Sequence, residues 1–117
     1  MSKPRLVVVE SPYAGKDKEE VKRNVKYARV CLKDCFNRGE YPYASHLLYT
    51  QPGILDDNNP EERELGIMAG LSWVKIADAT IVYTDFGVSK GMKLGIQRAE
   101  QDGRPVEYRT LDGKIKL

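Results

Sequence analysis

The chain has 117 residues, a formal net charge of +2, and hydrophobic and charged fractions of 41% and 31%. That length holds one core but not two, and that balance describes a globular domain rather than a disordered chain. Lysines and arginines are spread along the chain among acids, so the basic stripe of a nucleic-acid binder is not expected, and no apolar run approaches the roughly 20 residues of a membrane span.

A single domain over 1–117 is therefore expected, with neither nucleic acid nor membrane as partner. No signal-peptide pattern precedes the first apolar run, so a cytoplasmic location is expected, or a host cytoplasm for a phage-encoded chain. Cys31 and Cys35 share the apolar side of one predicted helix. With His46 as the lone histidine, they read as two buried reduced thiols rather than a zinc site. Neither metal nor cofactor is expected.

Arg5-Leu6-Val7-Val8-Val9-Glu10 is an apolar, β-branched run of the kind covered on both faces in a parallel sheet. Ser11-Pro12-Tyr13-Ala14-Gly15 ends it. Asp17 and Glu20 have capping-box spacing and start a helix whose buried stripe is expected to be Val21, Val25, Ala28, Leu32, Cys35 and Phe36. Gly39 is placed to end that helix.

Tyr41-Pro42-Tyr43-Ala44 reads as a short strand, near an edge because of Pro42. Residues 45–59 show no clear period, and a loop of that length in so small a domain points to function. Asn59-Pro60-Glu61-Glu62 carries cap, proline and first-turn acids, and starts a second helix. Its apolar side is expected to hold Leu65, Met68 and Leu71, widened by Trp73, Val74 and Ile76.

Ala79–Tyr83 is the third strand, and the third helix runs from about Lys90 to Gln101 with Met92, Ile96 and Ala99 inward. Val106–Leu111 is the fourth strand, and Asp112-Gly113 before Lys114-Ile115-Lys116-Leu117 predicts a tight hairpin return. This alternation predicts an α/β fold, a flavodoxin-like doubly wound sheet of four parallel strands with a short C-terminal hairpin strand.

Ligands of such sheets gather at the carboxyl ends of the strands. Three segments are expected there: Ser11–Gly15, His46–Asp57 and Asp85–Gly91. Helix starts, carboxylates, hydroxyls and rings together suit a nucleoside or nucleotide, with phosphate on a helix start, sugar on a carboxylate and base on an aromatic. Candidate ligand-binding residues are Ser11, Tyr13, Gly15, His46, Asp57, Asp85, Ser89, Lys90, Gly91 and Lys93. Each alternative is plain. Ser89 also fits a helix cap, Asp85 a turn, His46 a bond within its own loop, and Asp56 and Asp57 solvated loop acids.

Taken together, Ser11-Pro12-Tyr13-Ala14-Gly15, Asn24-Val25 with Ala28-Arg29, Tyr43-Ala44-Ser45-His46-Leu47, Asp57 through Gly66, and Ser89-Lys90-Gly91-Met92 form an ordered set. The set resembles small phage and bacterial proteins of the nucleoside 2-deoxyribosyltransferase-like superfamily, over roughly Leu6 to Arg109. The resemblance implies a flavodoxin-like sheet and homodimers or larger assemblies. It also implies cleavage of the N-glycosidic bond of deoxynucleosides or their monophosphates by a glutamate that attacks C1′.

This chain departs from the family at that glutamate. One of the family's patterns places it at Lys93 and the other at Gly95. A carboxylate 4 Å from a unit positive charge gains about 4 kcal/mol at an effective dielectric near 20, and a lysine reverses the sign. The expected function is therefore binding of a nucleotide or nucleoside, to sequester or sense it, without the family's usual cut. The alternative is an N-glycosidase or deoxyribosyltransferase with a relocated nucleophile, for which Asp85 and Asp56 are the candidates.

Overall fold

A computed structural model describes residues 3–113. Four strands form one parallel sheet in the order β2-β1-β3-β4: β1 Leu6–Glu10, β2 Tyr41–Tyr43, β3 Ala79–Tyr83 and β4 Val106–Arg109. The flavodoxin-like doubly wound sheet is present as the alternation required. Val7 pairs with Ala79 and Glu10 with Val82, so β1 and β3 form the centre of the sheet. Strand order reverses between them, and this is where open α/β sheets leave a crevice. Asp112 (φ 51°) and Gly113 (φ 76°) both lie in the left-handed region. The hairpin return expected over Lys114 to Leu117 lies outside the described residues.

Helix α1, Lys18–Asn37, covers one face of the sheet. Asp17 caps it by accepting from the Glu20 N–H at 2.9 Å. Its buried residues are Asn24, Tyr27, Ala28, Cys31 and Cys35, packed with Val7, Val9, Ile81 and Tyr83. The expected stripe is corrected by about a fifth of a turn: Ala28 and Cys35 are buried as expected, but Val21, Val25 and Leu32 are only partly buried, and Phe36 is 57% exposed. Polar partners make the difference. Asn24 and Tyr27 are buried because each has a hydrogen bond waiting, which an apolar count cannot see.

Helix α4, Lys90–Gln101, lies on the opposite face, where Met92 and Ile96 meet Val82 and Val106. Between β2 and β3 come a four-residue helical turn α2, Ser45–Leu48, and helix α3, Pro60–Trp73, ended by a 3-10 turn at Val74–Ile76. Asn59 caps α3 by accepting from Glu61 and Glu62 N–H. Of the apolar side expected for α3 only Val74 is buried; Leu65, Met68, Trp73 and Ile76 are each more than half exposed. Among the described residues no helix is long and apolar enough to cross a membrane.

An ion-pair network joins Glu40, which follows α1, to residues of β4 and to Arg5. Glu40 accepts from Arg109 at 2.8 and 2.7 Å and from Arg5 at 2.7 Å, and Arg5 also reaches Glu107 at 2.6 Å. The Arg109 and Arg5 guanidiniums hold the Glu40 carboxyl down at about 2. On the α4 side Arg104, only 7% exposed, donates to Thr80 Oγ1 and to the Val74 carbonyl, both at 3.0 Å.

Candidate functional site

The loop after β1 is fixed from α1. Asn24 donates its amide to the Tyr13 and Ala14 carbonyls at 3.0 and 3.3 Å, which sets the direction in which Tyr13 leaves the sheet. Gly15 is glycine because Glu20 packs against it: a Cβ there would lie 2.7 Å from the Glu20 Cβ. That close approach is a packing role, and no functional group is contributed.

Ser11 and His46 meet across the carboxyl ends of β1 and β2, with Ser11 Oγ 2.8 Å from His46 Nε2. Burial lowers the His46 ring to about 4, so it is neutral at pH 7 and can either donate to or accept from Ser11. The Tyr13 ring stands edge-on to His46 at 6.4 Å. The segment that follows is compact. Thr50 donates to the His46 carbonyl at 2.6 Å, and Leu55 N–H bonds back to the Tyr49 carbonyl at 3.2 Å. Both ends rest on glycines of α3: Ser45 sits where a Gly70 Cβ would be, at 2.8 Å, and Leu55 lies 3.3 Å from the place of a Gly66 Cβ.

Between this segment and Tyr13 opens a cleft of about 510 Å³, lined by Tyr13, Thr50, Leu55, Asp56, Asp57 and Glu62 among others. Asp57 is 3.7 Å from Arg63, and Asp56 accepts from the Asn58 N–H at 2.9 Å. The structure thus brings together Ser11, Tyr13, His46, Asp56 and Asp57 from the residues singled out in the sequence.

The segment from Asp85 to Gly91 lines a different part of the edge. Asp85 accepts from the Tyr27 hydroxyl at 2.5 Å and from the Leu111 N–H at 3.0 Å. Tyr27 accepts in turn from the Asp85 N–H at 3.0 Å. These bonds tie Asp85 to α1 and to the chain after β4. Phe86 packs edge-on against Tyr27 at 4.7 Å, under the Arg23 guanidinium. Ser89 caps α4 by accepting from Met92 N–H at 3.3 Å, the structural alternative read in the sequence. Lys90 and Lys93 are exposed beside the start of α4, and Gly91 has open space where a side chain would stand.

Sequence reasoning passed over Glu10. It is the last residue of β1, and its side chain points to the α4 face, where it packs against Gly95. A Cβ on Gly95 would lie 2.3 Å from Glu10 Oε2. Gly95 is one of the two positions at which the family resemblance expects a glutamate, so a carboxyl from the neighbouring strand fills the space a side chain at 95 would need. Burial pushes the Glu10 carboxyl up to about 8, with the Arg104 guanidinium pulling it down. The only signal in the sequence was a carboxylate ending an apolar strand one residue before the loop. Tyr27 and Asn24 were missed for the reason given above: they lie on an α1 face judged by apolar residues alone.

Sheet order and helix placement define a flavodoxin-like α/β domain of the kind found in a 2-deoxyribosyltransferase. The solved structure of that enzyme from the psychrotolerant bacterium Bacillus psychrosaccharolyticus superposes with a TM-score of 0.61 at 19% identity, over 96% of this chain and 77% of that one. The chain itself belongs to the family described as a domain of unknown function, DUF7768, whose model matches residues 5–109. No curated protein sequence matches it.

Proposed function

We propose that this domain binds a nucleoside or nucleotide at the carboxyl edge of its sheet, to sequester or sense it, and does not cut it in the manner of a deoxyribosyltransferase. The observation that carries this reading is the cleft in which one ring, Tyr13, faces two carboxylates, Asp56 and Asp57. A ring supplies a stacking face for a base, and carboxylates accept from sugar hydroxyls. The start of α4, with Lys90 and Lys93 exposed beside it, supplies backbone N–H groups and positive charge for a phosphate. The shared fold with a 2-deoxyribosyltransferase supports the ligand class.

The helix after β3 supports the absence of the cut. Neither Lys93 nor Gly95 offers a carboxylate, Asp85 has both oxygens engaged by Tyr27 and Leu111, and the carboxyl that does lie beside Gly95, that of Glu10, is kept protonated at pH 7 by burial and is a poor nucleophile in that form. Copies of the domain associate with one another in this reading, through the apolar face of α3. Calorimetric titration with the four deoxynucleoside 5′-monophosphates tests binding, and chromatography of the same mixtures tests the cut. Binding with the nucleotide recovered intact is the expected result; release of free base would overturn it.

A further inference from the structure

Glu10 occupies a position that the cleft beside Tyr13 does not explain. It ends β1 at the strand-order reversal, next in sequence to Ser11, and its carboxyl lies over the bare backbone of Gly95. One turn earlier in α4, Gly91 faces open space. Two glycines at this spacing leave a strip of helix without side chains, and Glu10 stands at its inner end. No described residue lies within hydrogen-bond distance of the Glu10 carboxyl, although every fully enclosed side-chain oxygen and nitrogen has a partner. Its oxygens therefore open onto accessible space. A carboxyl packed on one side against a bare helix backbone, with no protein partner on the other, is free to bond a ligand.

We propose that Glu10 is a ligand-binding residue of this edge, holding a sugar hydroxyl of the nucleotide bound there. The inference rests on the nucleotide reading above and fills the gap within it. In that reading the sugar lies at the end of β1, because Glu10 is three residues before Tyr13 in the chain and touches α4 at Gly95. A carboxylic acid both donates and accepts, as a hydroxyl does, so the two make a reciprocal pair. Its charge state suits the neighbour. Burial keeps the group neutral at pH 7, and a neutral acid does not repel a phosphate that a carboxylate would. Of the elements packed around it, α4 presents Gly95 and β3 pairs through Val82, neither of them ionisable. Arg104, which follows α4, supplies the charge that acts on Glu10, and it favours the ionised form.

The test is calorimetric titration of the full chain and of two variants, Glu10→Gln and Glu10→Ala, with deoxynucleoside 5′-monophosphates and the matching nucleosides. Glutamine also donates and accepts without charge, so Glu10→Gln binds within about threefold of the parent at pH 7. Glu10→Ala loses about tenfold or more. Raising the pH from 7 to 9 weakens monophosphate binding by the parent more than nucleoside binding, and Glu10→Gln is free of that difference. If the parent binds nucleotides and Glu10→Ala binds them equally well, the assignment of Glu10 is overturned while the nucleotide reading stands. If the parent binds none of these probes, the nucleotide reading falls and the assignment falls with it.

Discussion

Tyr27 and Asp85 grip each other at two points, 58 positions apart in the chain. The buried phenol donates to the carboxylate at 2.5 Å and accepts from the same residue's backbone N–H at 3.0 Å. The second carboxylate oxygen takes the Leu111 N–H. One side chain of α1 thereby fixes the loop that leads into α4, and Asp85 becomes the joint between two layers of the fold. Tyr27→Phe removes both bonds and leaves a backbone donor and a carboxylate short of partners. The expected cost is about 2 kcal/mol, seen as a fall in Tm of about 8 °C. An unchanged melting curve would show that the joint carries no load.

His46 sets a second expectation, in pH. Its ring is held near 4 by burial, against about 6.5 in the unfolded chain, so protons bind the unfolded state first. The stability this contributes is complete above about pH 6.5 and is lost as the pH falls from there toward 4. Urea denaturation at pH 5.5 should show about 1.4 kcal/mol less stability from this group than at pH 8. The chain has one histidine, so its ring resonances in an NMR titration report the same shift without assignment.

Glu40 gives a separate acid limb. Arg109 and Arg5 lower its carboxyl to about 2, so its contribution is present above about pH 4.5 and is lost as the pH falls toward 2. Its side chain is only 8% exposed and bonds both arginines. Glu40→Gln leaves a buried Arg109 with only the more distant Glu107, at 3.7 Å, and should cost about 3 kcal/mol at pH 7 and flatten unfolding below pH 4.5.

The layering of this fold was legible because its signals are local. Apolar runs mark β1 and β3, and Asp17, Asn59 and Ser89 sit where caps must be; all three accept the N–H bonds their spacing promised. The candidate site was legible only in part. Ser11, Tyr13, His46 and the two loop aspartates converge as read, because they flank neighbouring strand ends. Glu10 and Tyr27 escaped because their roles depend on contacts 85 and 58 residues away, with Gly95 and Asp85, and nothing in the spacing announces such a pair. The apolar side of α3 was legible as a pattern, but a pattern does not say which way it faces. Four of its large residues face out.

That outward face makes a third kind of expectation. Leu65, Met68, Trp73 and Ile76 are 59%, 59%, 61% and 66% exposed. Light scattering after size exclusion should find more than one copy per particle, and Leu65→Glu with Trp73→Glu should return it to a monomer that still melts cooperatively. A parent chain already monomeric at high concentration would remove this face as an interface.

The two glycines of α4 should respond oppositely to the same change. Gly91→Ala meets open space and gains the helix preference of alanine, about 0.5–1 kcal/mol. Gly95→Ala drives a methyl group into the Glu10 carboxyl, which has to swing away, so the gain is cancelled and the carboxyl returns toward the ordinary glutamate range. Paired melting curves and a carboxyl NMR titration of Glu10 separate the two.

Thermal denaturation of the full chain with deoxynucleoside 5′-monophosphates at about 5 mM bears on the central claim most directly. A ligand at 100 times its Kd adds about 2.7 kcal/mol, and the account predicts a Tm raised by several degrees for at least one of the four. A Tm unmoved by all four would contradict it.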